Sequence, residues 1–529
     1  MQQTDSPHET PFRWTVSPAG RPARYTRADA AAEAETRCRP VSELVASLLE
    51  ALRTERILYC HWKSNWRIDE WLSGKGDLDL LVARPDVDRF ASVLSRLGFK
   101  KSHSPAKGEL PGVINYYGYD AKLGRLIHIH AHYQLVLGHD ASKNYRLPVE
   151  RHVLGSVEAI DPIPMPTYEV EFAIFVVRMI LKYSTGELLL RRATGKLNRL
   201  RDEIRQEYEY LYARIDRSKL AKTAGELFPT IPPTLFDECA EALAAPPSPA
   251  RMSHFRRLLE RSLNSQSRLR PVRERAARLL KLVSSAARTL RLVQPGRKVL
   301  ESGGSLIAVL GGDGAGKSTC TDDLHRWLGK KFDTRRVHLG LPPRSMITLA
   351  VTAAIHFRRY LDRFAHAALG TPSEPFDPFD PKVDLLQRIR WLCTARDRYR
   401  LYVRIRRSAS NGSIVLCDRY PTWKVKQMDG PRIEDSLNGR TPTEVERILI
   451  KMEQTYYNRI SPPDQLIVLR VDPELAVRRK AKESHSHVAR RSSEIWNLDW
   501  SDTFARVVDA NRPRDEVIEE VRTLIWADL

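Results

Sequence analysis

The stretch Ser305-Leu306-Ile307-Ala308-Val309-Leu310-Gly311-Gly312-Asp313-Gly314-Ala315-Gly316-Lys317-Ser318-Thr319 decides how the chain reads. A continuous apolar run leads into a glycine-rich turn, and residues 311–318 satisfy G-x-x-x-x-G-K-[ST] in full. Small residues let backbone N–H groups turn inward and wrap phosphate oxygens. The apolar periodicity that follows, Leu324, Trp327 and Leu328 before Gly329, predicts a helix whose positive N-terminus points at the same oxygens. Lys317 is then placed for the β- and γ-phosphates, and the Ser318 hydroxyl for Mg²⁺. The expected triphosphate contacts are Gly311, Gly312, Asp313, Gly314, Ala315, Gly316, Lys317, Ser318 and Thr319.

Outward from this loop, apolar strands are expected at 305–310, 414–417, 466–471 and 507–508, alternating with helical patterns. That alternation predicts an α/β region with a mostly parallel sheet and helices on both faces. Cys417-Asp418-Arg419-Tyr420 closes the second strand. An Asp at a strand's C-terminal end faces the ligand crevice of such a sheet and can hold Mg²⁺, while Arg419 can meet a phosphate with two N–H groups. Asp472-Pro473-Glu474 reads as a helix start, with an N-cap acid, Pro at the first position and a further acid at the positive end.

With these residues in hand, 304–529 resembles the thymidylate kinase family. The matching features are G-x-D-G-x-G-K-S-T at 311–319, D-R-Y at 418–420, D-P-E and a basic helix at 472–482, and V-D-A at 508–510. The resemblance implies transfer of the ATP γ-phosphate to a nucleoside monophosphate, dTMP to dTDP by default. It implies Asp313 facing the acceptor, Asp418 and Arg419 handling metal and acceptor phosphate, and lid arginines at Arg478, Arg479, Arg490 and Arg491, of which Arg479 is taken as catalytic beside Lys317. The family's R-E-P-G-type acceptor loop is missing; 337–344 stands in its place. An insertion near 428–433 has no counterpart.

A second constellation lies far upstream. Asp77 and Asp79 in Gly76-Asp77-Leu78-Asp79-Leu80-Leu81-Val82 are spaced i, i+2, so a strand puts both carboxylates on one face. Paired acids of this kind hold divalent metal in two-metal phosphoryl and nucleotidyl transfer. Residues 45–165 resemble the nucleotidyltransferase superfamily, with Lys63-Ser64-Asn65 in place of its glycine turn. The third acid is absent. The strand at 125–133 offers His128, His130 and His132 on one face instead, which leaves a transition-metal site, a histidine replacing the acid, and plain structural histidines all open.

The 529 residues thus divide into a polar tail expected to be disordered (1–40), a nucleotidyltransferase-like α+β domain (41–165), a helical domain (166–250) whose last part, 226–250, reads as a Pro- and Ala-rich joint, a basic helical linker (251–302) and the P-loop domain (303–529). Asp86 is expected to cap a helix over 87–97. The formal charge is +21, and residues 251–299 alone hold 14 Lys/Arg against 2 Asp/Glu. That stretch either solvates a linker or attracts an anionic partner. Six scattered cysteines without a C-x-x-C pair fit a reducing compartment. No apolar run reaches the roughly 18–20 residues that span a bilayer. The expectation is a cytoplasmic enzyme using ATP and Mg²⁺ on a small-molecule acceptor, with room for a homodimer. The alternatives are nucleotidyl transfer through Asp77 and Asp79, or an ATP-binding adaptor with an anionic partner.

Overall fold

The computed structural model describes residues 41–105, 109–158, 162–195, 197–245, 248–289, 297–369, 384–422, 424–425, 430–437, 439–480 and 484–529. The tail expected over 1–40, and parts of the 428–433 insertion and of the 472–482 helix, lie outside them. Two compact units result.

One unit covers 167–263 and is helical: α3 (Tyr168–Lys182), α4 (Thr185–Ala193), α5 (Leu197–Tyr212), α6 (Arg217–Leu227), α7 (Pro233–Ala244) and α8 (Pro249–Ser262). Two sequence expectations change here. The supposed joint at 226–250 contains α7, which starts on Pro233 in its first turn and buries Leu235, Phe236, Cys239, Ala242 and Leu243. Helical spacing of apolar residues behind an N-terminal Pro outweighs the loop-like composition. The first part of the basic stretch, α8, also belongs to this unit and buries Met252, Phe255 and Leu259.

The other unit covers 41–166 and 264–529 and holds a six-stranded sheet, a five-stranded sheet and two small two-stranded ones. Its first elements are α1 (Glu43–Thr54), β1 (Tyr59–His61), β2 (Asp77–Val82), α2 (Val87–Arg96), β3 (Lys100–His103), β4 (Val113–Asp120) and β5 (Arg125–His132). Ser42 starts α1, its hydroxyl accepting from the Val45 amide at 3.2 Å. Asp86 precedes α2 without capping it; its carboxylate accepts instead from the Leu58 amide at 2.8 Å and from Arg89.

After α9 (Pro271–Thr289) the chain forms β6 (Val299–Leu300), which joins the first sheet beside β3, giving the order β1-β2-β5-β4-β3-β6. The end of the basic stretch is therefore a strand. β2 and β5 are parallel, which sets Asp77 opposite His128 and Asp79 opposite His130.

The second sheet comprises β7 (Ser305–Gly311), β8 (Thr334–His338), β9 (Ile414–Asp418), β10 (Gln465–Arg470) and β11 (Arg506–Asp509). It is all parallel, in the order β8-β9-β7-β10-β11. Its helices are α10 (Lys317–Leu328), α11 (Met346–Leu369), α12 (Leu385–Ser410), α13 (Glu444–Asn458), α14 (Pro473–Arg479), α15 (His485–Asn497) and α16 (Arg514–Asp528). β7 is central and buried throughout, which is why its sequence is a continuous apolar run. Cores on both faces of the sheet cover it, one under α10 and α16 and one under α12. Tyr117 of β4 and Leu300 of β6 belong to the first of these cores. The Tyr117 ring packs edge-on against Phe332 at 5.1 Å, and Trp526 Nε1 donates to the Gly98 carbonyl at 3.0 Å.

Candidate functional site

The parallel order brings the C-terminal ends of β7, β9 and β10 together, the place where such sheets bind ligands. The loop after β7 fits only glycines at two points. Gly314 has φ +83°, and a Cβ there would lie 2.7 Å from the Ala476 carbonyl of α14; one on Gly312 would lie 2.5 Å from Ser492 Oγ of α15. The loop is thus clamped between α14 and α15. Beside it opens a cleft of about 500 Å³, lined by residues 313–320 together with His338, Asp418, Arg419, Arg479, Lys480, Ala510, Arg512 and Arg514.

Within the cleft Lys317 Nζ donates to the Gly312 carbonyl at 2.8 Å and stands 3.9 Å from Asp313. Ser318 Oγ donates to Asp418 Oδ2 at 3.0 Å. The other oxygen, Asp418 Oδ1, is buried with no hydrogen-bond partner among the described residues. Asp313 gathers cations: Arg491 Nη1 at 2.9 Å and Arg419 Nη2 at 3.2 Å. Burial alone would raise the Asp313 carboxyl, but Arg491, Lys317 and Arg419 hold it below the usual carboxylate range. Arg419 adopts φ +59°, a left-handed conformation costly for a side-chain-bearing residue, and this bend turns it toward Asp313.

The arginines expected to form a lid separate. Arg491 meets the phosphate loop, whereas Arg479 Nη1 donates to the Ala510 carbonyl at 3.0 Å and so ties α14 to the V-D-A segment. Arg478 is exposed and faces Glu474 within its own helix. Arg490 is exposed.

The second constellation is built on β2 and β5. Asp79 Oδ1 contacts Lys63 Nζ at 2.8 Å, His130 Nδ1 at 3.3 Å and His132 Nε2 at 3.4 Å. Burial would raise this carboxyl; Lys63 and the two histidines hold it well below its ordinary value. Asp77, half-exposed, lies 2.8 Å from His128 Nδ1. Ser64, where the resemblance expects glycine, takes φ +58°, the left-handed conformation that a glycine turn would supply. His61 and His132 are buried and pushed down to about 4 and about 3, chiefly by desolvation.

No family model matches the chain. Over 227 residues it is 26% identical to the Escherichia coli (strain K12) "Uncharacterized ATP-binding protein YghR", a match spanning 42% of this chain and 86% of that protein. It is 24% identical over 231 residues to "Uncharacterized ATP-binding protein YghS" of the same strain, spanning 42% and 93%. A solved structure of thymidylate kinase from Candida albicans overlaps 42% of this chain and 91% of that one, at 17% identity and a TM-score of 0.27. The chain contains a P-loop NTPase-like region. Among the described residues no helix is long and apolar enough to cross a membrane.

Sequence reasoning missed the arginines around the segment that follows β8, whose His338 lines the cleft. Arg398 of α12 donates to the Leu339 and Gly340 carbonyls at 2.9 and 3.2 Å. Asp397 accepts from the Ser345 amide at 2.9 Å, and Arg396 donates to Ser345 Oγ at 2.7 Å. Arg390, on the same helix, is pulled below its ordinary value by burial and by Arg344, Arg359 and Arg432. The signal was present as two Arg-x-Arg pairs, 388/390 and 396/398, about two helical turns apart.

Proposed function

We propose that residues 303–529 bind ATP and transfer its γ-phosphoryl group to a phosphorylated small molecule, with a nucleoside monophosphate, dTMP first, as the acceptor to test. The observation that carries this reading is the meeting of Arg419 and Arg491 on Asp313 inside a complete phosphate loop. Two guanidinium groups are thereby held beside the phosphate loop. The ATP-binding relatives support the nucleotide, and the motifs at 311–319, 418–420, 472–482 and 508–510, which resemble those of thymidylate kinases, support the reaction.

Positioning and charge neutralisation dominate such a transfer. Lys317 leaves the Gly312 carbonyl for the β/γ oxygens, and Arg419 and Arg491 balance the charge on the transferred group. Asp313 holds the arginines in place. The donor set at Ser318 and Asp418 fits Mg²⁺, because the buried Asp418 Oδ1 has no other partner among the described residues. When bound, Mg²⁺ neutralises phosphate charge that the side chains do not reach.

The test is an acceptor screen with γ-labelled ATP on the full chain and on Lys317→Ala. A labelled product that disappears in the variant supports the reading. If nucleoside monophosphates, dTMP included, and other phosphorylated small molecules all stay unlabelled, the kinase reading is wrong.

A further inference from the structure

The donor atoms of Asp79, His130 and His132 all lie within 4.8 Å of one another. Asp79 stands opposite His130 across the parallel β2–β5 pair, and the period of a strand brings His132 to the same face. The distances carry the inference. A charge-assisted N–H···O⁻ bond closes to about 2.7–2.9 Å. The two histidine contacts stay open at 3.3 and 3.4 Å. A tetrahedral ion with bonds of about 2.0–2.1 Å separates its ligands by about 3.4 Å. The only short contact on this oxygen among those the structure gives is the Lys63 ammonium at 2.8 Å, itself a cation.

We propose that Asp79, His130 and His132 form a mononuclear site for a divalent transition-metal ion, Zn²⁺ in class, and that the Lys63 ammonium neutralises Asp79 until the metal displaces it. Two imidazoles and one carboxylate suit zinc-like ions and not Mg²⁺, which prefers oxygen donors. Three protein ligands leave one position open, as in catalytic zinc sites, for water or an anionic oxygen ligand. His130 is 31% exposed and gives the ion a way in. Asp77 stays outside the set, because it faces His128 at 2.8 Å. Lys298 reinforces that separation, its Nζ lying 2.8 Å from Tyr117 Oη and 3.3 Å from His128 Nε2. The site is therefore distinct from a pair of carboxylates bridged by magnesium.

Metal-stripped full-length protein is titrated with Zn²⁺ against a chromophoric chelator, and with Co²⁺ to read the visible bands of tetrahedral coordination. One Zn²⁺ per chain and tetrahedral Co²⁺ bands are expected. Asp79→Asn and His132→Ala should each weaken Zn²⁺ by at least about 100-fold. Lys63→Met should tighten it by about tenfold, because the competing cation is gone. Circular dichroism confirms that each variant folds, and His485→Ala/His487→Ala controls for zinc taken up by the exposed histidines of α15. Unchanged Zn²⁺ affinity in folded His132→Ala overturns the site. So does a Lys63→Met protein that binds no tighter, or Zn²⁺ that Mg²⁺ displaces at equal concentration and Asp77→Asn abolishes.

Discussion

Replacing Asp313 with Asn tests whether the phosphate loop latches α15. The Asp313 side chain is 10% exposed, and its carboxylate accepts from Arg491 at 2.9 Å and from Arg419 at 3.2 Å. A hydrogen bond to a charged partner contributes about 1.5–3 kcal/mol. The arginine side chains are 31% and 27% exposed, so solvent screening takes part of that. About 2 kcal/mol for the Arg491 contact is a fair working value, which is about a 30-fold change in a local opening equilibrium. Hydrogen–deuterium exchange of the α15 amides in ligand-free protein reads it directly. Asp313→Asn should speed exchange there about 30-fold, Arg491→Gln similarly, and the double variant little further. The sign with pH follows from the depressed Asp313 value. The contribution is full above the ordinary carboxylate range and is lost as pH falls through the lower folded value. Additive effects in the double variant, or α15 exchange unchanged in Asp313→Asn, would refute the latch.

Three further outcomes are expected. Gly314→Ala places a Cβ 2.7 Å from the Ala476 carbonyl at φ +83°, a strain of about 1–3 kcal/mol on the loop, so ATP affinity by calorimetry should fall about tenfold or more; wild-type affinity would show the clamp to be soft. Phe332 is fully buried between Tyr117 and Trp526, and Phe332→Ala should cost about 3–5 kcal/mol in chemical denaturation; a loss under about 1 kcal/mol would mean that this contact between the two sheets is idle. α9 exposes Leu279, Leu280 and Val283 along a basic helix, so the full chain should sediment with anionic vesicles, less so at high salt and less in Leu279→Glu/Leu280→Glu; binding that ignores salt argues against an anionic partner at this stretch.

Where burial was two-sided, the sequence could be read almost residue by residue. β7, β9 and β10 are buried on both faces, and their apolar runs marked them to within about a residue of the observed ends. β8 escaped because it is an edge strand: Thr334-Arg335-Arg336-Val337-His338 points two arginines to solvent, so its composition reads as loop. β6 escaped for another reason. Two residues at the end of a basic stretch carry no periodicity, and only the free edge of β3 makes them a strand. The helix α7 was hidden by the prolines around it, although one of them sits where a helix start tolerates it.

The site divides along the same line between local and long-range information. Motif residues that neighbour one another in sequence are placed together: Lys317, Ser318 and the loop glycines sit side by side because one strand–turn–helix carries them. Asp418 and Arg419 lie beside them because the end of β9 in the parallel sheet is next to that loop. The arginine that reaches Asp313 could not be read from sequence, since Arg479 and Arg491 lie on different helices and the outcome depends on how α14 and α15 pack on Gly314 and Gly312. The pair Asp77 and Asp79 shows the same limit from the other side. Their spacing correctly put two carboxylates on one strand, but spacing is blind to the neighbouring strand. The parallel register delivers His128 to Asp77 and His130 and His132 to Asp79, so two acids that look equivalent in sequence have different chemistry. Asp77 keeps one histidine and half its exposure, while Asp79 is partly buried among two imidazoles and an ammonium, a donor set that suits a transition-metal ion better than a magnesium pair.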